Sequence, residues 1–262
     1  MKMKPFIIAN WKMKLLPNEQ VRLARQVLRM GSVATKSFSL AVSPTLESAA
    51  LIAPIFKGTP IALCAQNCFW EDRGAYTGEV SPRAIKQLGC SYVLLGHSER
   101  RIHFGETSDM IAKKVHAVLR IPGLQPILCI GEPLTVRRAG NHFAFLKKQL
   151  SVALRLVSKT NRQRIIIAYE PIWAISTAVQ MLGTVGRPIT PNDCMKVYTF
   201  LKKTLARMLP SSPLTVLYGG SVNADNVCSF VGAGISDGAL IGGASVDPFE
   251  LKKIFLALRT RK

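Results

Sequence analysis

The sequence predicts an α/β fold, a single (β/α)8 barrel in which eight parallel strands close on themselves and a helix follows each strand. Short apolar runs alternate with amphipathic helical segments from one end of the chain to the other. The strand-like runs are apolar throughout, as expected when both faces of a parallel sheet are covered. The 262 residues show no break in composition and lie near the roughly 250 typical of such a barrel. We therefore interpret residues 1–262 as one domain.

The predicted strands leave room for a helix between each pair. They are residues 6–10, 38–43, 61–66, 92–95, 126–130, 165–169, 214–218 and 239–242. The predicted helices are residues 17–30, 45–53, 82–88, 108–120, 134–157, 191–209, 224–230 and 248–258. Ser81, Thr190 and Asp247 each stand directly before a proline, which is typical of the first turn of a helix.

A doubly wound open sheet is the alternative architecture. Its glycine-rich phosphate fingerprint, GxGxxG, would follow the first strand. Asn10-Trp11-Lys12 stands there instead, so the closed barrel is the better interpretation.

The chain is strongly basic, with 35 Lys and Arg against 15 Asp and Glu and a formal net charge of +20. Such a charge raises the local concentration of anionic ligands. Because the basic residues are spread along the chain, mostly on predicted outer helix faces, we expect a solvated surface rather than a nucleic-acid site. No apolar run approaches the roughly 18 residues of a membrane span, so we expect no membrane partner.

The six cysteines and four histidines show neither a zinc spacing nor a tight disulfide framework. We therefore predict reduced thiols, no metal and no cofactor. The basic start of the chain lacks a secretory apolar region, which indicates a cytoplasmic protein.

Chemistry in a barrel of this kind lies at the C-terminal ends of the strands. Glu170 ends the sixth predicted strand, and a loop that begins with Pro171 follows at once. A carboxylate beneath a loop that can close over it suits proton abstraction away from water. By itself the pattern is weak, because a strand-end Glu before Pro is in most proteins a helix-entry or surface residue.

Six short motifs at successive strand ends strengthen this interpretation. They are Asn10-Trp11-Lys12, Gly96-His97-Ser98-Glu99-Arg100-Arg101, Cys129-Ile130-Gly131-Glu132, Tyr169-Glu170-Pro171-Ile172-Trp173, Tyr218-Gly219-Gly220-Ser221-Val222 and Ile241-Gly242-Gly243-Ala244-Ser245. In this order they resemble the triosephosphate isomerase family, and the match covers essentially the whole chain. The resemblance implies a TIM barrel and an isomerase of glycolysis and gluconeogenesis that acts on a small phosphorylated triose.

The resemblance also implies catalytic roles for four residues. Glu170 is similar to the family's base, and His97 to its electrophile, which works as a neutral imidazole. Lys12 would be the single fixed cation between the phosphate and the developing oxyanion. Asn10 would donate a neutral hydrogen bond at the same edge. The role of Glu99 stays open. It would either serve the reaction, by orienting Lys12 or relaying protons, or form a structural salt bridge with a nearby arginine.

Substrate phosphate would be bound by backbone N–H groups after the seventh and eighth strands. We expect Ser221, Gly242 and Gly243 to form this cradle, because glycine lets the chain approach a ligand closely. Asn10 and Lys12 would also contact the substrate, and the resemblance implies a further phosphate contact from the N–H of Ser176.

Residues 67–82 form a long connection that resembles the family's interdigitating dimer loop. The resemblance implies that Thr77 reaches the active site of a neighbouring subunit, so we expect a homodimer; a surface hairpin is the alternative.

The chain departs from the family pattern after Trp173. Ser176 and Ala178 stand where the family usually has glycines, and residues 179–187 lengthen the connection. These side chains restrict the backbone of the expected lid. Two other functions therefore stay open: an anion-binding or nucleic-acid-binding protein on an isomerase scaffold, and another phosphate-binding barrel enzyme. The intact set of Asn10, Lys12, His97 and Glu170 argues against the first. The second would need a Schiff-base lysine or a carboxylate pair at the strand ends, which we do not find.

Overall fold

The computed structural model describes residues 4–34, 36–175, 189–208, 214–232 and 234–260. The strands are β1 (Phe6–Asn10), β2 (Ser39–Ser43), β3 (Ile61–Ala65), β4 (Cys90–Leu95), β5 (Gln125–Ile130), β6 (Ile166–Tyr169), β7 (Val216–Tyr218) and β8 (Gly238–Ile241). Neighbouring strands pair in parallel in sequence order, and β1 pairs with β8 to close the ring. The predicted fold class is confirmed.

Helices cover the outside of the ring. They are α1 (Pro17–Ala34), α2 (Leu46–Phe56), α3 (Pro82–Gln87), α4 (Ser98–His103), α5 (Ser108–Leu119), α6 (Leu134–Arg138), α7 (His142–Ala153), α8 (Lys159–Arg162), α9 (Pro191–Met208), α10 (Val227–Phe230) and α11 (Pro248–Thr260). Short 3-10 turns occupy Ile172–Ala174 and Gly243–Ser245.

The prediction of one continuous helix over residues 134–157 is wrong. The segment consists of α6 and α7, which are separated at Gly140, where φ is +74°. Glycine adopts this left-handed conformation at little cost, so it ends one helix and lets the next begin in another direction. The short helices α4 and α8 have no counterpart among the predicted segments. Gly242, predicted as the last residue of the eighth strand, lies just after β8.

Two apolar layers stabilise the barrel. One fills its interior, and the other lies between the strands and the helices. The interior cluster consists of Phe6, Ile8, Ala41, Cys64, Leu94, Ile127, Cys129, Ile166, Ala168, Leu217 and Leu240. Because both faces of each strand are covered, the strands need continuous apolar runs. Burial of each large aliphatic side chain contributes about 1.5–3 kcal/mol.

The alternation of side chains along a strand places the functional residues. Ile8 lies in the interior cluster, whereas Ile7 belongs to the outer layer. Successive side chains point to opposite faces, so the interior row of β1 continues to Asn10 at its C-terminal end. In the same way, the interior row of β6 continues from Ala168 to Glu170. Both polar side chains therefore emerge at the same mouth of the barrel.

Three expectations from composition can be compared with the structure. No helix of the described ranges is long and apolar enough to cross a membrane. All six cysteines are free thiols, and of these only Cys228 is exposed. The basic side chains of α1 and α11 lie largely on outer faces, with Arg25, Arg29, Lys252 and Lys253 exposed. That this surface is solvated and binds no nucleic acid stays a prediction.

Candidate active site

A cavity of about 300 Å³ opens at the C-terminal mouth of the barrel. It is lined by all the predicted site residues within the described ranges, namely Asn10, Lys12, His97, Glu170, Ser221, Gly242 and Gly243. These residues come from five different strand ends, and the barrel brings them together. Ser176, the remaining predicted site residue, lies outside the described residues, as do Ala178 and residues 179–187.

Glu170 is almost completely buried, with 2% of its surface exposed. Its Oε2 accepts a 2.9 Å hydrogen bond from the backbone N–H of Ser98. Its Oε1 lies 3.2 Å from Nε2 of His97 and lacks an aligned hydrogen-bond donor. One carboxylate oxygen is therefore fixed by the backbone, and the other is left to accept a proton.

Two glycines make room for the backbone and the side chain of Glu170. A Cβ at Gly131 would lie 1.7 Å from the carbonyl oxygen of Glu170, and a Cβ at Gly219 would lie 2.9 Å from its Cγ. A side chain at position 131 would force the backbone at Glu170 to move, and one at position 219 would displace the Glu170 side chain. Sequence reasoning gave no role to Gly131, because its partner lies on a neighbouring strand end.

His97 caps the N-terminus of α4 with its side chain. Its Nδ1 accepts a 3.3 Å hydrogen bond from the backbone N–H of Glu99. Since an accepting nitrogen carries no proton, a neutral ring holds its proton on Nε2. That nitrogen is the one next to Glu170, so its N–H is available to a ligand in the cavity.

Lys12 has a strained backbone. Its φ of +54° is the only positive value at a non-glycine residue in the described ranges. Such a conformation costs about 1–3 kcal/mol and persists only where its surroundings hold it. The Asn10 side chain accepts a 3.1 Å bond from the Lys12 N–H, and Gln66 donates a 2.9 Å bond to its carbonyl oxygen. Gln66 is a residue that sequence reasoning missed, because a lone glutamine after a strand carries no signal.

The Lys12 ammonium and Glu99 form an ion pair at the edge of the cavity. Nζ of Lys12 lies 2.5 Å from Oε1 of Glu99. The other oxygen of Glu99 lies 3.7 Å from Nδ1 of His97. Glu99 therefore forms an ion pair with Lys12, and its role in the reaction stays a prediction.

A second buried carboxylate lies behind the site. Glu132 accepts hydrogen bonds from the Tyr169 hydroxyl at 3.1 Å and from Trp173 Nε1 at 3.0 Å. Arg137 lies 3.8 Å away. Burial raises the pKa of the Glu132 carboxyl, against the opposing effect of these hydrogen bonds. Through Trp173, this carboxyl anchors the chain that follows Glu170.

The expected phosphate cradle lines the same cavity as Glu170. The N–H and the hydroxyl of Ser221 both point to the carbonyl oxygen of Ala174, at 3.3 and 2.9 Å. A Cβ at Gly242 would lie 3.3 Å from Cε of Lys12, so a side chain here would crowd the lysine. Ser245 fixes the following turn through a 2.7 Å hydrogen bond to the Gly242 carbonyl oxygen.

Lys14 also lines this cavity, although sequence reasoning did not select it. Nothing in the local sequence distinguishes it from a solvated surface lysine. Its position relative to Gly243 becomes visible only in the folded chain.

A second cavity, of about 490 Å³, adjoins the first and shares Asn10, Lys12 and His97 with it. Met13 and Phe104 line it and are 89% and 67% exposed. Its volume lies on the side of Lys12 away from the glycine cradle.

The long connection between β3 and α3 lies near this second cavity. Its base is ordered by aromatic contacts, since the Phe69 ring lies 4.0 Å from that of Trp70 and 4.6 Å from that of Tyr76. Residues 73–79, including Thr77, are exposed. No group of three or more His, Cys, Asp or Glu side chains in the described part of the chain is arranged to hold a metal ion.

Comparison with known proteins agrees with this architecture. The family model described as triosephosphate isomerase matches residues 5–258. The triosephosphate isomerase of Caldanaerobacter subterraneus subsp. tengcongensis is 39% identical over 254 residues, which is 96% of this chain and 98% of the relative. That of Aquifex aeolicus is 38% identical, with the same coverage of each chain.

A solved structure is similar over the same length. The crystal structure of triosephosphate isomerase from Bartonella henselae superimposes with a TM-score of 0.83 at 30% identity, covering 98% of this chain and all of the other. Since the family model and the relatives each match nearly the whole sequence, this chain belongs to the triosephosphate isomerase family.

Proposed function

We propose that the protein interconverts dihydroxyacetone phosphate and D-glyceraldehyde 3-phosphate through an enediol or enediolate intermediate. One observation carries the proposal: Glu170 Oε1, without an aligned donor, lies 3.2 Å from His97 Nε2 in a cavity that Lys12 and the glycine cradle also line. A base, a hydrogen-bond donor and a cation thus face one small space.

The reaction moves hydrogen between two adjacent carbons. Glu170 Oε1 takes a proton from the carbon next to the carbonyl. The electron pair of that C–H bond forms the carbon–carbon double bond of the enediolate, and the π pair of the carbonyl moves to its oxygen. The Nε2–H of His97 donates to the substrate oxygens as negative charge develops, and Lys12 stabilises the same charge. Glu170 then returns the proton to the neighbouring carbon, while Nε2 of His97 gives a proton to the former carbonyl oxygen and takes one from the hydroxyl oxygen that becomes the new carbonyl. The net change therefore needs no external oxidant or reductant.

Phosphate binding gives the site its substrate class. Backbone N–H groups at Ser221, Gly242 and Gly243 hold the phosphate, with the N–H of Ser176 as a further contact. In the structure, both donors of Ser221 point to the carbonyl oxygen of Ala174. Substrate phosphate therefore competes with this carbonyl for Ser221. Anchoring the phosphate fixes the reacting carbons relative to Glu170, which converts binding energy into orientation.

The functional unit that we propose is a homodimer. The exposed loop that carries Thr77 and the 490 Å³ cavity beside Lys12 belong to the same face of the barrel. The loop of one subunit would fill this cavity of the other and cover the exposed Met13. Such an exchange is self-complementary, as a two-fold interface requires. A cytoplasmic location accords with the free thiols.

The isomerisation itself provides the test. Purified protein is incubated with either triose phosphate in D₂O, and both interconversion and deuterium incorporation at carbon are followed by NMR. We expect interconversion in both directions, with solvent deuterium entering the product through Glu170. A protein that binds the substrates without converting them would instead be an anion-binding protein on this scaffold.

A further inference from the structure

Two lysines lie over the two glycines of the phosphate cradle. Nζ of Lys12 lies 3.5 Å from the position that a Cβ on Gly242 would take. Nζ of Lys14 lies at the same distance, 3.5 Å, from the position that a Cβ on Gly243 would take. Both lysines line the 300 Å³ cavity. The cradle thus has a second ammonium group at its outer side.

The backbone after β1 explains how two lysines so close in sequence reach one cavity. The left-handed conformation of Lys12 turns the chain, and the N–H of Lys14 returns to the carbonyl oxygen of Trp11 at 3.4 Å. Trp11 is completely buried and anchors the turn. Lys12 and Lys14 therefore leave one rigid turn on the same side, towards Gly242 and Gly243.

The two ammonium groups differ in their surroundings. Lys12 is paired with Glu99 at 2.5 Å, which offsets part of its charge. In the ranges that the structure covers, Nζ of Lys14 makes neither a hydrogen bond nor an ion pair with a protein group. Lys14 is also exposed at the rim of the cavity. Its charge is therefore not offset by a neighbouring carboxylate, although solvent screens it in part.

We propose that Lys14 is a second cationic residue for phosphate binding, which attracts and holds the phosphate dianion from the rim of the cradle. The inference rests on the proposed function. Lys14 faces the glycine that binds the phosphate, not the carboxylate and imidazole that act on the reacting carbons. Because the phosphate keeps its place while the carbons react, Lys14 stabilises bound substrate and transition state alike. Such uniform binding lowers KM and leaves kcat unchanged.

The test compares Lys14→Gln with two other variants. Lys14→Arg keeps the charge. Lys57→Gln removes one charge from an exposed lysine in the turn between α2 and β3. KM and kcat are measured at low salt, and binding of inorganic phosphate is measured by calorimetry. We expect Lys14→Gln to raise KM and the phosphate Kd about threefold to tenfold, the range for a partly screened ion pair. We expect kcat to stay within about twofold.

Controls separate a rim cation from the loss of net charge. Lys14→Arg should restore most of the affinity, and Lys57→Gln should behave as the wild type. The difference between wild type and Lys14→Gln should shrink as salt is raised. An unchanged KM and phosphate Kd in Lys14→Gln, or an equal loss in Lys57→Gln, would show that the inference is wrong. Calorimetry tests Lys14 even if the wild type fails to interconvert the triose phosphates, so the two failures are distinguishable.

Discussion

Oε1 of Glu170 and Nε2 of His97 lie 3.2 Å apart. The other oxygen of Glu170 accepts a hydrogen bond from the backbone N–H of Ser98, which lies 72 residues earlier in the chain. The imidazole is oriented independently, by the Glu99 N–H at Nδ1. Two backbone N–H groups at the start of α4 therefore orient the side chains of the proposed base and the proposed electrophile. The carboxylate and the imidazole are thus held in mutual contact.

Removal of the proposed base or electrophile should abolish most of the activity. Glu170→Gln and His97→Gln should each lower kcat by at least about a hundredfold, since general acid-base help contributes that much or more. Far-ultraviolet circular dichroism checks that both variants fold. His116→Gln, an exposed histidine of α5, is the matched control and should keep wild-type turnover. Wild-type turnover in a folded variant would remove that residue from the mechanism.

Charge on the exposed loop should weaken the proposed dimer. Ala75→Glu places a carboxylate beside Thr77, and we expect it to shift the protein towards monomer and to lower activity at low protein concentration. Analytical ultracentrifugation measures the shift. Ala144→Glu makes the same change at an exposed position of α7 and should have no effect. A wild type that is monomeric and fully active would contradict the assignment of the loop.

Glu132 should make stability depend on pH. Burial raises its pKa in the folded protein above the ordinary value of 4.5. The folded state therefore holds this proton more tightly than the unfolded state. The contribution of protonated Glu132 to the free energy of unfolding is fully present below about pH 4.5. It is lost as the pH rises through the pKa of Glu132 in the folded protein.

Glu132→Gln removes this titration and keeps an acceptor for Tyr169 and Trp173. The free energy of unfolding of the wild type relative to the variant should accordingly fall as the pH rises. Urea unfolding from pH 4.5 upwards measures it. A pH-independent difference between the two proteins would show that Glu132 does not titrate in this way.

Removal of the buried Lys114 ammonium should lower the free energy of unfolding. The ammonium pairs with Glu106 and donates to the Asn67 side chain at 2.9 Å, and both members of the ion pair have nearly no exposed side-chain surface. Lys114→Met leaves Glu106 as a buried charge with weaker compensation from Arg100 at 3.5 Å. We expect a loss of about 3–5 kcal/mol in the free energy of unfolding.

The neighbouring Lys113 provides the comparison. It is exposed, and its ammonium lies 5.1 Å from the centre of the Trp70 ring, so Lys113→Met should change stability by no more than about 1 kcal/mol. The double variant Lys114→Met with Glu106→Gln should recover part of the loss, because no charge is then left uncompensated. All measurements are made at one protein concentration, since dimerisation would couple concentration to stability. Equal effects at positions 113 and 114 would contradict the role of the pair.

The fold was predictable because its signals are local. Continuous apolar runs mark strands that are covered on both faces, and the eight runs occur where the eight strands lie. The limits of the elements were less predictable. Gly140 breaks a helical pattern that is continuous in its apolar residues, and the conformation of one glycine decides the break.

The candidate site, like the fold, was predictable in part. Asn10, Lys12, His97 and Glu170 stand at strand ends in recognisable motifs, so the sequence by itself determined which side chains gather at the mouth. Only the tertiary structure decided their contacts: Gln66 on the Lys12 carbonyl, the Ser98 N–H on Glu170, and Lys14 over Gly243. These contacts join residues from different strand ends, and their distances depend on barrel closure. Periodicity and propensity act over a few neighbouring residues, so they determine the strands, whereas packing between distant segments determines where the reactive atoms lie.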